Sequence, residues 1–259
     1  MTKKILLLSL LFVTTTQYAT WDRGNIHIFG DSHSAYSFTN IYSAGTPPTP
    51  SLSNWPLTCE KSFFDYNESI SAPFFIHWIS NTMHEVGRSG LHVLDFRKYD
   101  IEDGDVVLLH FGGMDFYHGH IERQYMKGRQ LEEIVATLSQ NFIETVISNV
   151  KMYENLTVVI MAVIPPKVFS HNQHEFVQFV PHIPYEPFIV QANKMLNESL
   201  ASHCTVNKFL YLNANSFFET SIGTLEPSKS DGQHHVKPSY NYLIKRQLIK
   251  LLLEKQQPA

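Results

Sequence analysis

Two stretches of this chain are apolar without alternation, "VVLLHF" (106–111) and "LTVVIMAVIPP" (156–166). A strand with one wet face alternates apolar and polar residues, so an unbroken run predicts a strand covered on both faces. "NIHIF" (25–29), closed by Gly30, predicts another, and "KFLYLNA" (208–214) a shorter one. Between these runs the spacing changes. Leu131, Ile134, Val135, Leu138, Phe142, Val146, Ile147 and Val150 recur at three- and four-residue intervals and predict a helix over 129–153 with one buried face. Residues 186–203 predict a second amphipathic helix, and "PSYNYLIKRQLIKLLLEK" (238–255) a last one with Pro238 near its start. The stretch "APFFIHWISNTMHEV" (72–86) fits one long helix or a helix followed by a strand. We take the second, because "GRSG" (87–90) supplies turn residues and "LHVLDF" after it can open a helix. "SAGTPPTPSLSN" (43–54) is composed as a loop, and 165–187 is read as another.

Strands alternating with helices predict an α/β domain whose parallel sheet carries helices on both sides. Ligands of such sheets sit in the crevice beyond the carboxyl ends of the strands. Three loops therefore matter: "GDSHS" after the first strand, "GRSG" after the second and "GGMDFYHGH" (112–120) after the third. No repeat or composition break divides the chain, so 21–259 reads as one domain; a chain of 259 residues buries roughly three quarters of its unfolded surface without a staple.

Composition narrows the partners. A net charge of -4 with scattered Lys and Arg leaves no basic stripe for a phosphate backbone, which argues against nucleic acid. Residues 1–20, with Lys3 and Lys4 ahead of an apolar run from Ile5 to Val13, have the layout of a signal peptide, so a secreted or periplasmic protein with no membrane span after processing is expected. Export would permit Cys59 and Cys204 to pair, although a buried free thiol is equally compatible with the sequence. Sequons stand at Asn67, Asn155 and Asn197.

The first loop poses the chemical question. In "FGDSHS", Ser32 could be a nucleophile, or it could cap a helix that begins near Ser34. Asp31 and His33 form D-x-H, the opening of a two-metal phosphoesterase pattern, but the G-D-x-x-D and G-N-H strings that would complete that pattern do not occur among these residues. A serine hydroxyl needs a base, a group that orients the base, and donors for the oxyanion. "SDGQHHVKP" (230–238) offers the first two: Asp231 and His234 are three apart in a turn and can set a carboxylate against an imidazole.

Together these blocks resemble the SGNH or GDSL-type hydrolase superfamily. "FGDSHS" is similar to its first block, "GRSG" to its second, "FGGMD" to its third and "DGQH" to its last, in family order and over residues 25–256. The resemblance implies a three-layer α/β/α sandwich around a mostly parallel, flavodoxin-like five-stranded sheet. It also implies ester hydrolysis through an acyl-enzyme without a cofactor or metal, on a small-molecule, carbohydrate or lipid ester. Ser32 would be the nucleophile, His234 the base and Asp231 its orienting acid, with the N–H groups of Ser32, Gly90 and Gly113 facing the oxyanion.

One departure stands out: Met114 occupies the third block's Asn, and a thioether cannot donate. Losing one such donor costs about a hundred- to a thousand-fold in rate. His118, His120 or a backbone N–H at Gly113 could substitute; otherwise the protein is a slow enzyme or an SGNH-like binding or acyl-transfer module. Asp115, next to Met114, is expected to be structural. Trp55, Phe169, Phe176 and Phe179 are candidate walls of the substrate pocket.

Overall fold

The computed structural model describes residues 24–31, 37–38, 62–66, 70–79, 81–116, 119–232 and 235–255. The leader (1–20), Ser32, His33, Trp55, Cys59, Asn67, His118 and His234 lie outside them.

The strands are β1 (Ile26–Gly30), β2 (Ser62–Tyr66), β3 (Ile70–Trp78), β4 (Val106–His110), β5 (Thr157–Met161) and β6 (Leu210–Leu212), in the order β2-β3-β1-β4-β5-β6. Five of them, β3-β1-β4-β5-β6, run parallel. Numbered among themselves those five run second, first, third, fourth, fifth, the flavodoxin order, which reverses direction between β1 and β4. The sixth strand was not expected: β2 pairs antiparallel on the outer edge of β3, in a segment for which no element was predicted.

The helices are α1 (Met83–Ser89), α2 (His120–Met126), α3 (Leu131–Val150), α4 (Ser170–Phe179), α5 (Tyr185–Asn207) and α6 (Asn241–Glu254). The stretch 72–86 is a correction: strand comes first and helix second. The helix start was written in the residues. Thr82 accepts a hydrogen bond from the Glu85 N–H at 3.1 Å, and "TMHE" is a Thr-x-x-Glu capping box that places the boundary after Asn81. Within 165–187, read as loop, α4 forms around Phe176, which buries against Tyr185 and Phe188.

Burial explains why the strands lack alternation. Val107 and Leu109 of β4, with Phe29 of β1, face α1, α3 and α5 through Val86, Leu138, Phe142, Ile189 and Leu196. Val106 and Leu108, with Ile26 and Ile28, face α6 through Ile244, Leu248 and Leu252. Each face needs its own apolar set, so nearly every position is apolar.

One cluster of buried polar residues lies near the amino end of β4. His27 Nδ1 lies 3.0 Å from His77 Nε2, and His27 Nε2 lies 3.2 Å from the Asp105 carboxylate. Asp105 also accepts the N–H groups of Asn25 and Glu102, at 2.6 and 2.9 Å, so it anchors the entry to both β1 and β4. His77 stacks on Phe29, and burial with the neighbouring His27 ring pushes it down to about 3. The unfolded chain takes up a proton near pH 6.5 that this folded ring refuses. Its contribution to stability is therefore complete above pH 6.5 and is lost as pH falls toward 3. Denaturant titrations should show stability falling below pH 6.5 by up to about 1.4 kcal/mol per pH unit for each such histidine. His77→Phe should remove one share of that slope; an unchanged slope would mean the ring is charged in the fold.

Candidate active site

The switch between β1 and β4 puts Gly30 and His110 side by side at the carboxyl edge. Asp31, buried, follows Gly30, and Ser32 is the next residue in the chain. On the other flank of β1, the Ile79 N–H donates to Gly30 O at 2.8 Å and ties the exit of β3 to the exit of β1.

After β4 the chain turns at Gly112, whose φ of 113° is a left-handed value that a side chain resists. A Cβ there would also stand 2.8 Å from Val163 and 3.1 Å from Met83. The turn leads into a short 3₁₀ segment, Gly113–Asp115. Asp115 is fully buried, and its carboxyl accepts the N–H groups of Met83 at 2.8 Å and His84 at 3.1 Å, with the Thr82 hydroxyl also bonded to it. Those amides open α1, so Asp115 fastens the loop after β4 to the helix after β3. Desolvation outweighs these hydrogen bonds and lifts the carboxyl to about 7. A raised acid favours the fold most at low pH, and that share fades as pH climbs through about 7.

The two described glycines expected to face the oxyanion are placed differently. Gly90 is not in a loop at the carboxyl edge; it caps the far end of α1, and its N–H donates to Val86 O. That amide is engaged and sits a helix away from the strand ends. The positive φ of 57° explains the glycine there. Gly113 is better placed, since it opens the segment directly after β4, and among the described residues no acceptor faces its N–H. Met114 is half-buried beside it. His120 is engaged elsewhere: its ring stacks on His84.

The turn ahead of α6 carries the remaining chemistry. Ser230 and Val236 form an antiparallel bridge, Asp231 N–H donates to His235 O at 3.0 Å, and Gly232 takes a φ of 98° to close the turn. Lys167 Nζ donates to Gly232 O and ties this turn to the loop after β5. Asp231 Oδ1 accepts the His235 N–H at 3.2 Å, and Oδ2 lies 2.9 Å from His235 Nδ1. The carboxylate thus holds the imidazole at position 235, four residues on, whereas the motif spacing nominates position 234. A neutral imidazole that donates Nδ1–H to a carboxylate carries its lone pair on Nε2. His235 is buried and stands close enough to His110 that charge on one disfavours charge on the other; burial and this neighbour hold His110 down to about 3. The C-terminal turn therefore reaches the end of β4, beside the end of β1.

Other expected residues fall elsewhere. Phe176 is core, Phe179 is 63% exposed, and Phe169 lies under the Lys167 ammonium, 5.4 Å from its ring centre. Cys204 is a buried free thiol, pushed up to about 12 by desolvation. The Asn197 amide is bonded on both sides to the Val163 backbone, so this sequon is closed in the folded chain. No helix among the described residues is long and apolar enough to cross a membrane.

Asp115→Ala would strand the Met83 and His84 N–H groups and should cost about 1–3 kcal/mol in denaturant unfolding. Gly90→Ala, strained but in open space, should cost about 1–2 kcal/mol and leave any ester turnover unchanged. A large loss of turnover in a Gly90→Ala protein that remains folded would restore its amide to the site.

No protein-family model matches the sequence, and no curated protein matches it either. Solved structures do. A GDSL-like lipase from Bacteroides thetaiotaomicron VPI-5482 superposes with a TM-score of 0.50 and 13% identity, over 90% of this chain and 89% of that one. A candidate acylhydrolase from Bacteroides fragilis NCTC 9343 gives 0.50 and 13%, over 92% and 91%. At this identity the likeness is one of fold, and it runs the length of both chains: the protein has the α/β/α fold of the SGNH and GDSL-type hydrolases.

Proposed function

We propose that the protein is a serine ester hydrolase that works through an acyl-enzyme. The observation that supports this reading is the hydrogen bond between His235 Nδ1 and the Asp231 carboxylate at the carboxyl edge next to β1, whose last residue, Gly30, precedes Ser32 by two positions. Ser32 Oγ attacks the ester carbonyl and its proton passes to an imidazole Nε2. The tetrahedral oxyanion is met by backbone N–H groups of Ser32 and Gly113. Collapse expels the alcohol, which takes the proton back; water, deprotonated by the same nitrogen, then releases the acid. Motif spacing nominates His234 as that base. Because both carboxylate oxygens of Asp231 engage residue 235, we assign the role to His235 and make the comparison of the two the test.

The substrate class we propose is a small carbohydrate or lipid ester, met outside the cytoplasm if residues 1–20 direct export. Met114 favours a second reading, a weakly catalytic or glycan-binding module, because the third donor of the hole is missing from its usual place.

Chromogenic acetyl and butyryl esters separate the readings. Turnover that resists EDTA and falls by about ten-thousand-fold in Ser32→Ala is expected, with a fluorophosphonate adduct on Ser32. His235→Ala should lose nearly as much, and His234→Ala less than about tenfold. The reverse order would return the base to His234. Activity on phosphate esters that EDTA abolishes would transfer the chemistry to Asp31 and His33, and saturable glycan binding without turnover would favour the module.

A further inference from the structure

A recess of about 120 Å³ lies between α1, α2 and α3, away from the Asp231 turn, lined by His84, His120, Arg129, Thr137, Leu138 and Asn141. At roughly 30 Å³ per water its volume matches about four waters, or one small polyatomic ion. The two imidazoles stack face to face with centroids 3.7 Å apart and planes within 15°, and among the described residues neither ring has a hydrogen-bond partner. They are held in an unusual field. Desolvation foremost disfavours a proton on either ring; Arg88 adds to it at His84, where Glu85 opposes, and the His84 ring, Arg129, Arg123 and Lys127 add to it at His120.

The lining contains no carboxylate. The two nearby acids are already engaged, Glu85 by Arg88 and Ser89 and Glu133 by Arg129. Arg129 has five N–H donors, of which the bond to Glu133 at 2.7 Å takes one. Imidazole N–H groups, the Asn141 amide and the Thr137 hydroxyl add neutral donors around the same space. Convergent donors, one of them the Arg129 guanidinium, around a lining without a carboxylate are the complement of a small oxyanion, which would share Arg129 with Glu133.

We propose that this recess binds a small oxyanion, with inorganic phosphate as the representative ligand. The site is independent of the ester-hydrolysis reading and stands whether or not that reading does. It abuts the catalytic loops all the same, since the His84 N–H is held by Asp115 and His120 follows the loop after β4.

The full chain is titrated with phosphate at constant ionic strength, following the ring C–H resonances of His84 and His120. A saturable shift with a dissociation constant near or below about 1 mM is expected, competed by sulfate and not by glycerol. Arg129→Gln and His120→Gln should each weaken binding by about fivefold or more. Thr137→Val, on the exposed rim of α3, should weaken it less and serves as the variant least able to disturb the fold. No saturable shift up to about 50 mM, equal competition by glycerol, or wild-type affinity in both Arg129→Gln and His120→Gln would overturn the site.

Discussion

Covering β1 and β4 on both faces is the constraint from which the rest follows. With α1, α3 and α5 against one side and α6 against the other, a ligand has no access to the sheet except at strand ends. All five parallel strands end on one edge, so the loops after them converge there without any further device. The chain then fixes that edge by a few polar bonds: Ile79 to Gly30, Asp115 to the start of α1, and Lys167 to the Asp231 turn. Each joins two different loops, which makes the edge a single cross-braced surface.

The Asp231 turn shows how little scaffold such a site requires. Four positions separate carboxylate and imidazole, the turn is closed by one β-bridge and one left-handed glycine, and both carboxylate oxygens engage the same residue. One oxygen on the backbone N–H sets the turn and the other on Nδ1 sets the tautomer, so folding the turn also orients the ring. A spacing of three can be read from sequence as a pattern. That His235 is buried beside His110 follows from packing at the strand ends, and no local pattern encodes that.

The same division runs through the fold. Doubly buried strands and long amphipathic helices were legible because their periodicity is a direct image of burial: Val106–His110 and Leu131–Val150 fall within a few residues of expectation. The order within 72–86 was misread even though Thr82 and Glu85 spelled out the helix start, because the apolar run before them suits either element. β2 and α4 were missed for another reason. Each is supported by what it packs on, β3 for one and the Tyr185–Phe188 cluster for the other, and neither carries a strong pattern of its own. At the site, Gly90 was placed by motif alone; the structure shows its amide closing a helix. Asp115 was expected to be structural, and its bonds to Met83 and His84 are of that kind.

Met114 then decides how fast such a site can be. A missing side-chain donor removes about a hundred- to a thousand-fold, yet in serine hydrolases generally the nucleophile, base and backbone donors together account for far larger accelerations. Among the described residues, the 3₁₀ geometry after Gly112 leaves the Gly113 N–H without an acceptor. A backbone amide held by the Asp115 anchor cannot rotate away, so it is a pre-organised donor where an asparagine would be a mobile one. On the proposed reading, Met114 therefore slows ester hydrolysis rather than abolishing it.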